Sequence, residues 1–144
     1  MKPRTRARCL ALQALYEIDI ADHPPGQVLE ERLLDMPIDK TLFEFSREIV
    51  LGVIPLKIQI DSLIARYAPE WPLDQVAVID RNILRIAIWE ISNPNNTPLK
   101  VAINEAVELA KMYGSDSTPR FVNGVLGSLA LHQNEITQAF SATS

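Results

Sequence analysis

The sequence predicts an all-α fold, a single compact helical bundle of about seven helices. Long stretches carry apolar residues at spacings of three and four, which is the pattern of an amphipathic helix, and prolines and glycines separate these stretches. No stretch shows the strict alternation of apolar and polar residues that indicates a strand. With 144 residues, of which 47% are hydrophobic and 22% charged, the chain is expected to form one domain with a substantial core.

We expect this single domain, residues 1–144, to consist of two helical halves and a tail, namely residues 1–68, 73–131 and 132–144. Between the halves lies the sequence Ala-Pro-Glu-Trp-Pro, in which two prolines flank Trp71 and interrupt the helical pattern. We expect Trp71 to fill the core at this junction rather than to contact a ligand, because its side chain is large and apolar. The polar tail is expected to fray.

In the first half, apolar spacing predicts three helical stretches, over residues 3–20, 28–36 and 39–67. Asp39 is a suitable N-terminal cap for the third stretch. Gly52 and Pro55 lie in the middle of that stretch, so we expect either a kink there or two abutting helices.

In the second half, the same spacing predicts helices over residues 73–92, 98–114 and 118–129. The first of these is so apolar that we expect it in the centre of the bundle. Gly114 is expected to end the next helix because glycine tolerates a positive φ. Thr118 is expected to cap the last helix.

The residues do not indicate an enzyme, a metal site or a cofactor. His23 and His132 are far apart in sequence, and neither lies near Cys9, so no set of metal ligands is indicated. The five glycines are scattered and form no phosphate-binding loop. No local signature of a catalytic nucleophile is present. We therefore expect a binding protein that needs no cofactor.

The sequence also predicts a cytoplasmic location. The single cysteine, Cys9, excludes an intramolecular disulfide and fits a reducing compartment. No run approaches the ~20 apolar residues that span a bilayer, and the basic N-terminus lacks the apolar region of a signal peptide.

Charge is distributed unevenly along the chain. The net charge is −4, yet residues 1–16 contain four basic residues and no acid, whereas residues 17–80 contain thirteen acids and five bases. A short basic end on an acidic body suggests an anionic partner that is bound locally. The alternative is a solvated terminus with no ligand.

Stacking and hydrogen-bonding groups lie next to these charges. Arg6, Gln13 and Tyr16 share one face of the predicted first helix. Aromatic rings, arginines and amides are the groups that recognise single-stranded RNA. The alternative for Tyr16 is a half-buried ring with only its hydroxyl exposed.

Four motifs, in order, resemble the NusB family of bacterial transcription antitermination factors. They are RARCLALQALY at residues 6–16, DRNILRIAIWEI at 80–91, VAINEAVELAK at 101–111 and RFVNGVL at 120–126. The resemblance is specific in order and spacing, and it implies an all-helical, non-enzymatic protein.

The resemblance further implies binding of the single-stranded boxA element of ribosomal RNA operon transcripts. It implies two RNA patches, at Lys2, Arg4, Arg6, Arg8, Gln13 and Tyr16 and at Ser117, Thr118, Arg120 and Asn123. For two residues of the second patch a structural role is an equal alternative, with Thr118 as a helix cap and Asn123 as a structural amide.

The implied protein partner is NusE, a small-subunit ribosomal protein, and the implied result is that the transcript is tethered to RNA polymerase. The resemblance assigns NusE binding to Asp80, Arg81 and Glu90. The alternative for Arg81 and the neighbouring Arg85 is ordinary salt bridging to the acids of the body.

The sequence alone does not exclude two other functions. NusB-like domains also precede the catalytic domain of certain ribosomal RNA cytosine methyltransferases, although no such domain follows within these 144 residues. A helical dimerisation module is the second alternative, in which a homodimer could bury the RNA surface.

Overall fold

The computed structural model describes residues 1–68, 72–93 and 97–141. These ranges contain helices and no strand, which confirms the all-α prediction. Two short 3-10 turns, at Ile54–Leu56 and Leu73–Gln75, accompany the α-helices, which are α1 (Pro3–Ala21), α2 (Pro25–Asp35), α3 (Lys40–Val53), α4 (Lys57–Tyr67), α5 (Val78–Ile91), α6 (Leu99–Tyr113), α7 (Thr118–Ala130) and α8 (Gln133–Ser141). None of the helices within these ranges is long and apolar enough to cross a membrane.

Helix α5 occupies the centre of the bundle, as its apolar sequence predicts. It packs against five other helices, α1, α3, α4, α6 and α7. Every residue from 82 to 91 is buried, and this includes the charged residues Arg85 and Glu90. Polar groups on α5 must therefore find partners inside the protein, because burying them unpaired is costly.

The predicted interruption near Gly52 and Pro55 is confirmed. Asp39 caps α3 by accepting a hydrogen bond from the Leu42 N–H at 2.9 Å, and the chain then changes direction through the 3-10 turn Ile54–Leu56 before α4 begins. Close packing against α5 requires glycine at position 52. A Cβ atom there would collide with the indole ring of Trp89 on α5, so α3 can approach α5 closely only at a residue without a side chain.

Two boundaries in the second half differ from the prediction. Helix α5 begins at Val78 rather than near residue 73, because residues 73–75 form a 3-10 turn in which Gln75 N–H bonds the Pro72 carbonyl at 2.9 Å. The tail does not fray throughout, since α8 covers Gln133–Ser141 and packs on α4 with Ile136 fully buried. Trp71 lies outside the described residues.

Gly114 ends α6, but the predicted reason is wrong. Its φ is −90°, so no left-handed conformation is needed. A Cβ at this position would instead collide with the side chain of Thr118. Among the described residues, positive φ occurs instead at Asp22, at 55°, at the C-terminus of α1.

A half-buried carboxylate, Asp19, joins α1 to α4 and α5. It accepts hydrogen bonds from Lys57, Asn82 and Arg85, the last at 2.6 Å, while Arg85 also pairs with Asp61 at 2.8 Å. Burial by itself would raise the pKa of Asp19, but these donors and charges outweigh it and lower the pKa below its ordinary value. Asp19 therefore stabilises the fold above the unfolded pKa of about 4, and this contribution is lost as the pH falls through the lowered value.

Replacing Gly52 with alanine is expected to lower the free energy of unfolding by about 1–3 kcal/mol, because the methyl group overlaps the Trp89 indole and overpacking costs about that much. Urea unfolding followed by circular dichroism measures the change. Gly127→Ala is the matched control: its Cβ would meet nothing within 4 Å, so it should stabilise α7 by up to about 1 kcal/mol. Equal effects of the two variants would contradict this explanation.

Candidate nucleic-acid interface

Three basic side chains are exposed at the start of α1: Lys2, Arg4 and Arg6. The guanidinium of Arg4 lies over the ring of Phe45, 4.3 Å from its centroid, and Arg6 donates a hydrogen bond to the Pro37 carbonyl at 3.3 Å. These contacts hold the two arginines against the α2–α3 region while their charges stay accessible. The exposed cations (Lys2, Arg4 and Arg6) therefore form a basic surface at this end of α1.

Arg8 is not part of this surface, and the prediction that it meets RNA phosphates is wrong. Its side chain is 2% exposed and pairs with Glu90, which is also 2% exposed. The Nε and Nη2 atoms of Arg8 donate to the two carboxylate oxygens at 2.9 and 2.7 Å. The prediction that Glu90 binds a protein partner is wrong for the same reason, because its carboxylate is enclosed.

Further polar groups surround this ion pair. Thr97 donates to Glu90 at 2.9 Å, Glu105 lies 3.7 Å from Arg8, and Thr5 donates to Glu105 at 2.9 Å. The cluster joins α1, α5 and α6, and it compensates the desolvation of its charges. The sequence holds one sign of this role: Arg8 precedes Leu12 and Leu15 by four and seven residues, so it shares their buried face.

Gln13 and Tyr16 come together at a groove between α1 and the start of α5. The groove has a volume of about 660 Å³, and its walls include Ile79 and Tyr113. Tyr16 is 41% exposed, so part of its side chain can be reached from solvent. Gln13 is half-buried, and its Nε2 donates to the Tyr113 hydroxyl at 2.8 Å.

Tyr113 is a site residue that the sequence reasoning missed. It occupies the last position of α6, and its hydroxyl accepts a hydrogen bond from Gln13 at 2.8 Å. Burial raises the pKa of both the Cys9 thiol and the Tyr113 hydroxyl, so both stay protonated at neutral pH. The sequence feature that could have drawn attention to Tyr113 is its position directly before Gly114, the glycine that ends the helix.

The second predicted patch forms a cleft that adjoins the groove. Ser117 and Arg120 are exposed and line this cleft together with Asp80 and Phe121. The cleft has a volume of about 400 Å³ and shares Ala77 with the groove. The structure thus places parts of both predicted RNA patches on one continuous surface.

Asn123 is exposed on α7 and lies beside the N-terminal end of α1. Together with Lys2 and Lys111 it lines a depression of about 550 Å³ between α1 and α6. It is separated from the cleft that holds Ser117 and Arg120, because the two depressions have no lining residue in common.

Thr118 is 1% exposed, so the prediction that it contacts RNA is wrong. The prediction that it caps α7 is also wrong, because Thr118 is the first residue of the helix and its side chain has a different structural role. Its Oγ1 accepts the Ser115 N–H at 2.9 Å and donates to Asp80 at 3.1 Å, which fixes the α6–α7 connection to α5. The residue at the N-cap of α7 is Ser117, which makes no side-chain cap bond. Burial raises the pKa of Asp80, although the bond from Thr118 acts in the opposite direction.

Asp80 and Arg81, the two remaining residues of the predicted partner site, are half-buried in the first turn of α5. Asp80 lines the cleft. Within the described ranges no group of three or more histidine, cysteine, aspartate or glutamate side chains is placed to hold a metal ion.

Comparison with known proteins gives a consistent result. A sequence model of the NusB family matches residues 5–131. The chain is 46% identical to the transcription antitermination protein NusB of Roseiflexus castenholzii, over 92% of this chain and 94% of that protein. It is 48% identical to the protein of the same name from Chloroflexus aggregans, over 88% and 85%.

Solved structures are similar over nearly the whole chain. NusB of T. maritima superposes with a TM-score of 0.79 at 36% identity, covering 95% of this chain and 92% of that one. A structure of the antitermination factors NusB and NusE in complex with double-stranded RNA gives a TM-score of 0.80 at 26% identity, covering 96% and 98%.

Replacing Arg8 with alanine is expected to lower the free energy of unfolding by about 3–5 kcal/mol, because it leaves the Glu90 charge buried without its partner. Arg6→Ala, which removes the same side chain at an exposed position of the same helix, should change stability by no more than about 0.5 kcal/mol. Denaturant unfolding of both variants measures the difference. If the Arg8 variant is as stable as the Arg6 variant, the buried pair does not hold α1 in place.

Proposed function

The chain belongs to the NusB family of transcription antitermination proteins, and from this premise we propose its ligands. It binds the single-stranded boxA element of ribosomal RNA operon transcripts together with the ribosomal protein NusE. It thereby tethers the nascent transcript to RNA polymerase in the cytoplasm. Family membership confirms the resemblance seen in the sequence motifs, and it confirms that the protein is a non-enzymatic regulator.

The observation that carries the RNA proposal is the position of the exposed cations at one end of α1. Lys2, Arg4 and Arg6 lie within the first residues of the chain and are all exposed, on a protein whose net charge is −4. Phosphate contacts provide most of the affinity for nucleic acid. An acidic protein can bind RNA only where its positive charge is concentrated, and this end of α1 is such a place.

A single strand fits the surface because the groove between α1 and α5 can receive unpaired bases. Farther along the same helix, Gln13 and the exposed side chain of Tyr16 border the groove. Stacking on aromatic rings and hydrogen bonds to base edges require bases that are not already paired. Ser117 and Arg120 continue the surface beyond the groove, and the N-terminus of α7 beside them favours anions.

NusE is proposed to bind at the start of α5. Asp80 lines the cleft there, and Arg81 follows it on the helix. A solved complex that contains NusB, NusE and RNA, with a fold similar to this chain, supports a joint surface for both ligands. Holding RNA and a ribosomal protein at once raises their effective concentration near polymerase, and no bond-making is required.

The double variant Arg4→Ala, Arg6→Ala is expected to bind a boxA oligonucleotide about 10- to 30-fold more weakly at ~0.1 M salt, because two phosphate contacts to a single strand are lost. Fluorescence anisotropy with a labelled oligonucleotide measures the dissociation constant, in the presence and absence of NusE. Circular dichroism checks that the helices are unchanged.

The control for this double variant is Arg47→Ala, which removes another exposed arginine, on α3, that pairs with Glu44 at 3.7 Å. It should leave RNA affinity within about twofold, since Arg47 is not one of the exposed cations and lines neither the groove nor the cleft. If the double variant binds as tightly as the wild type, the exposed cations are not the RNA site.

A further inference from the structure

We infer that Phe45 is a positioning residue for RNA binding: its ring holds the guanidinium of Arg4 in the place where that guanidinium meets a phosphate. This inference rests on the proposed function and adds to it a residue that acts through Arg4 rather than through the ligand. Phe45 belongs to α3 and lies outside both predicted RNA patches.

The ring of Phe45 lies against two arginines of α1. The guanidinium carbon of Arg4 is 4.3 Å from the ring centroid, and that of Arg8 is 5.1 Å away. The two arginines are four residues apart and so share one face of the helix. Both lie within the ~6 Å at which an aromatic ring attracts a cation. One ring therefore contacts a buried structural arginine and an exposed arginine at the same time.

The ring is held in place by the fold. Phe45 is 7% exposed and belongs to the hydrophobic core. The next residue, Ser46, is fully buried and donates a hydrogen bond to the Ala7 carbonyl of α1 at 2.7 Å. Arg8, on the other side of the contact, is itself buried. The ring against which Arg4 lies is thus fixed before any ligand binds.

An aromatic ring holds a guanidinium without neutralising it. A carboxylate partner cancels the positive charge, as Glu90 does for Arg8 inside the protein. An arginine that stacks on a ring keeps its charge and its planar set of N–H donors for a phosphate. Phe45 therefore orders the side chain of Arg4 without removing the charge that RNA binding requires.

The expected benefit is a smaller loss of side-chain entropy when RNA binds. Ordering a flexible side chain at an interface reduces affinity by about 2- to 10-fold, and an arginine already held against a ring avoids part of that loss. The benefit cannot exceed the contribution of Arg4 itself, which is about 3- to 5-fold if two phosphate contacts together contribute about 10- to 30-fold. Loss of the ring should therefore weaken RNA binding by about 2- to 5-fold.

A double-mutant cycle on the full chain tests this role, with affinities for a boxA oligonucleotide measured by fluorescence anisotropy. Phe45→Leu removes the ring and keeps an apolar side chain. It should weaken binding by about 2- to 5-fold in the wild type. In the Arg4→Ala background the same change should weaken binding by less than about 1.5-fold, because the arginine that the ring positions is absent.

Phe43→Leu is the matched control, because it makes the same substitution two residues earlier on α3. Phe43 is partly buried against the core, and within the described part of the chain no arginine lies over its ring. This variant should bind RNA within about 1.5-fold of the wild type.

Phe45→Met is a second form of the test and decides the outcome if the leucine variant does not fold. Methionine fills irregular spaces in a core and has no aromatic face, so it should give the same loss of affinity and the same dependence on Arg4. Circular dichroism checks that each variant keeps its helices.

Failure of the proposed function and failure of this inference give different results. If the wild type binds no boxA oligonucleotide, both fail. If the wild type binds but the folded Phe45 variants bind as tightly, or lose the same affinity with and without Arg4, only the inference is overturned. An equal loss in Phe43→Leu would also overturn it, because the effect would then come from the packing of α3 and not from the ring beside Arg4.

Discussion

The arrangement of α1 depends on the buried ion pair between Arg8 and Glu90. Each charge is 2% exposed, and removing either partner would leave the other desolvated at a cost of several kcal/mol. Because Arg8 bonds both oxygens of Glu90 and lies beside Glu105, α1 is held in one rotation against α5 and α6. A helix of small and aliphatic residues alone could rotate or slide with much smaller loss.

This fixed rotation separates the basic residues of α1 into two groups. Arg8 faces the core, while Lys2, Arg4 and Arg6 remain exposed. Phe45 stands between the two groups, with Arg4 and Arg8 both near its ring, 4.3 and 5.1 Å from the centroid. The same rotation directs Gln13 and Tyr16 to the groove. A structural charge inside the protein therefore determines which charges and rings are offered to a ligand.

The sequence predicted the helices well because apolar spacing reports burial directly. It failed where a role depends on a partner distant in sequence. Glu90 is 82 residues from Arg8, and Asp80 is 38 residues from Thr118, so neighbouring positions did not reveal these partners. Only Arg8 carried a local sign of burial, because it shares a helix face with Leu12 and Leu15. Gly114 was explained by dihedral freedom when the cause is the proximity of Thr118, which is a tertiary contact. The exposed cations were predictable, since charge at a chain end needs no partner to be recognised.

The dependence of RNA affinity on salt concentration tests the central claim most directly, namely that exposed cations hold the phosphates of a single strand. With Arg8 buried, Lys2, Arg4, Arg6 and Arg120 are the predicted site cations that remain exposed. Four contacts to a single strand give a slope of log K against log salt of about −3. We expect that slope for the boxA oligonucleotide. A slope near zero would contradict the account, because binding would then not depend on these charges.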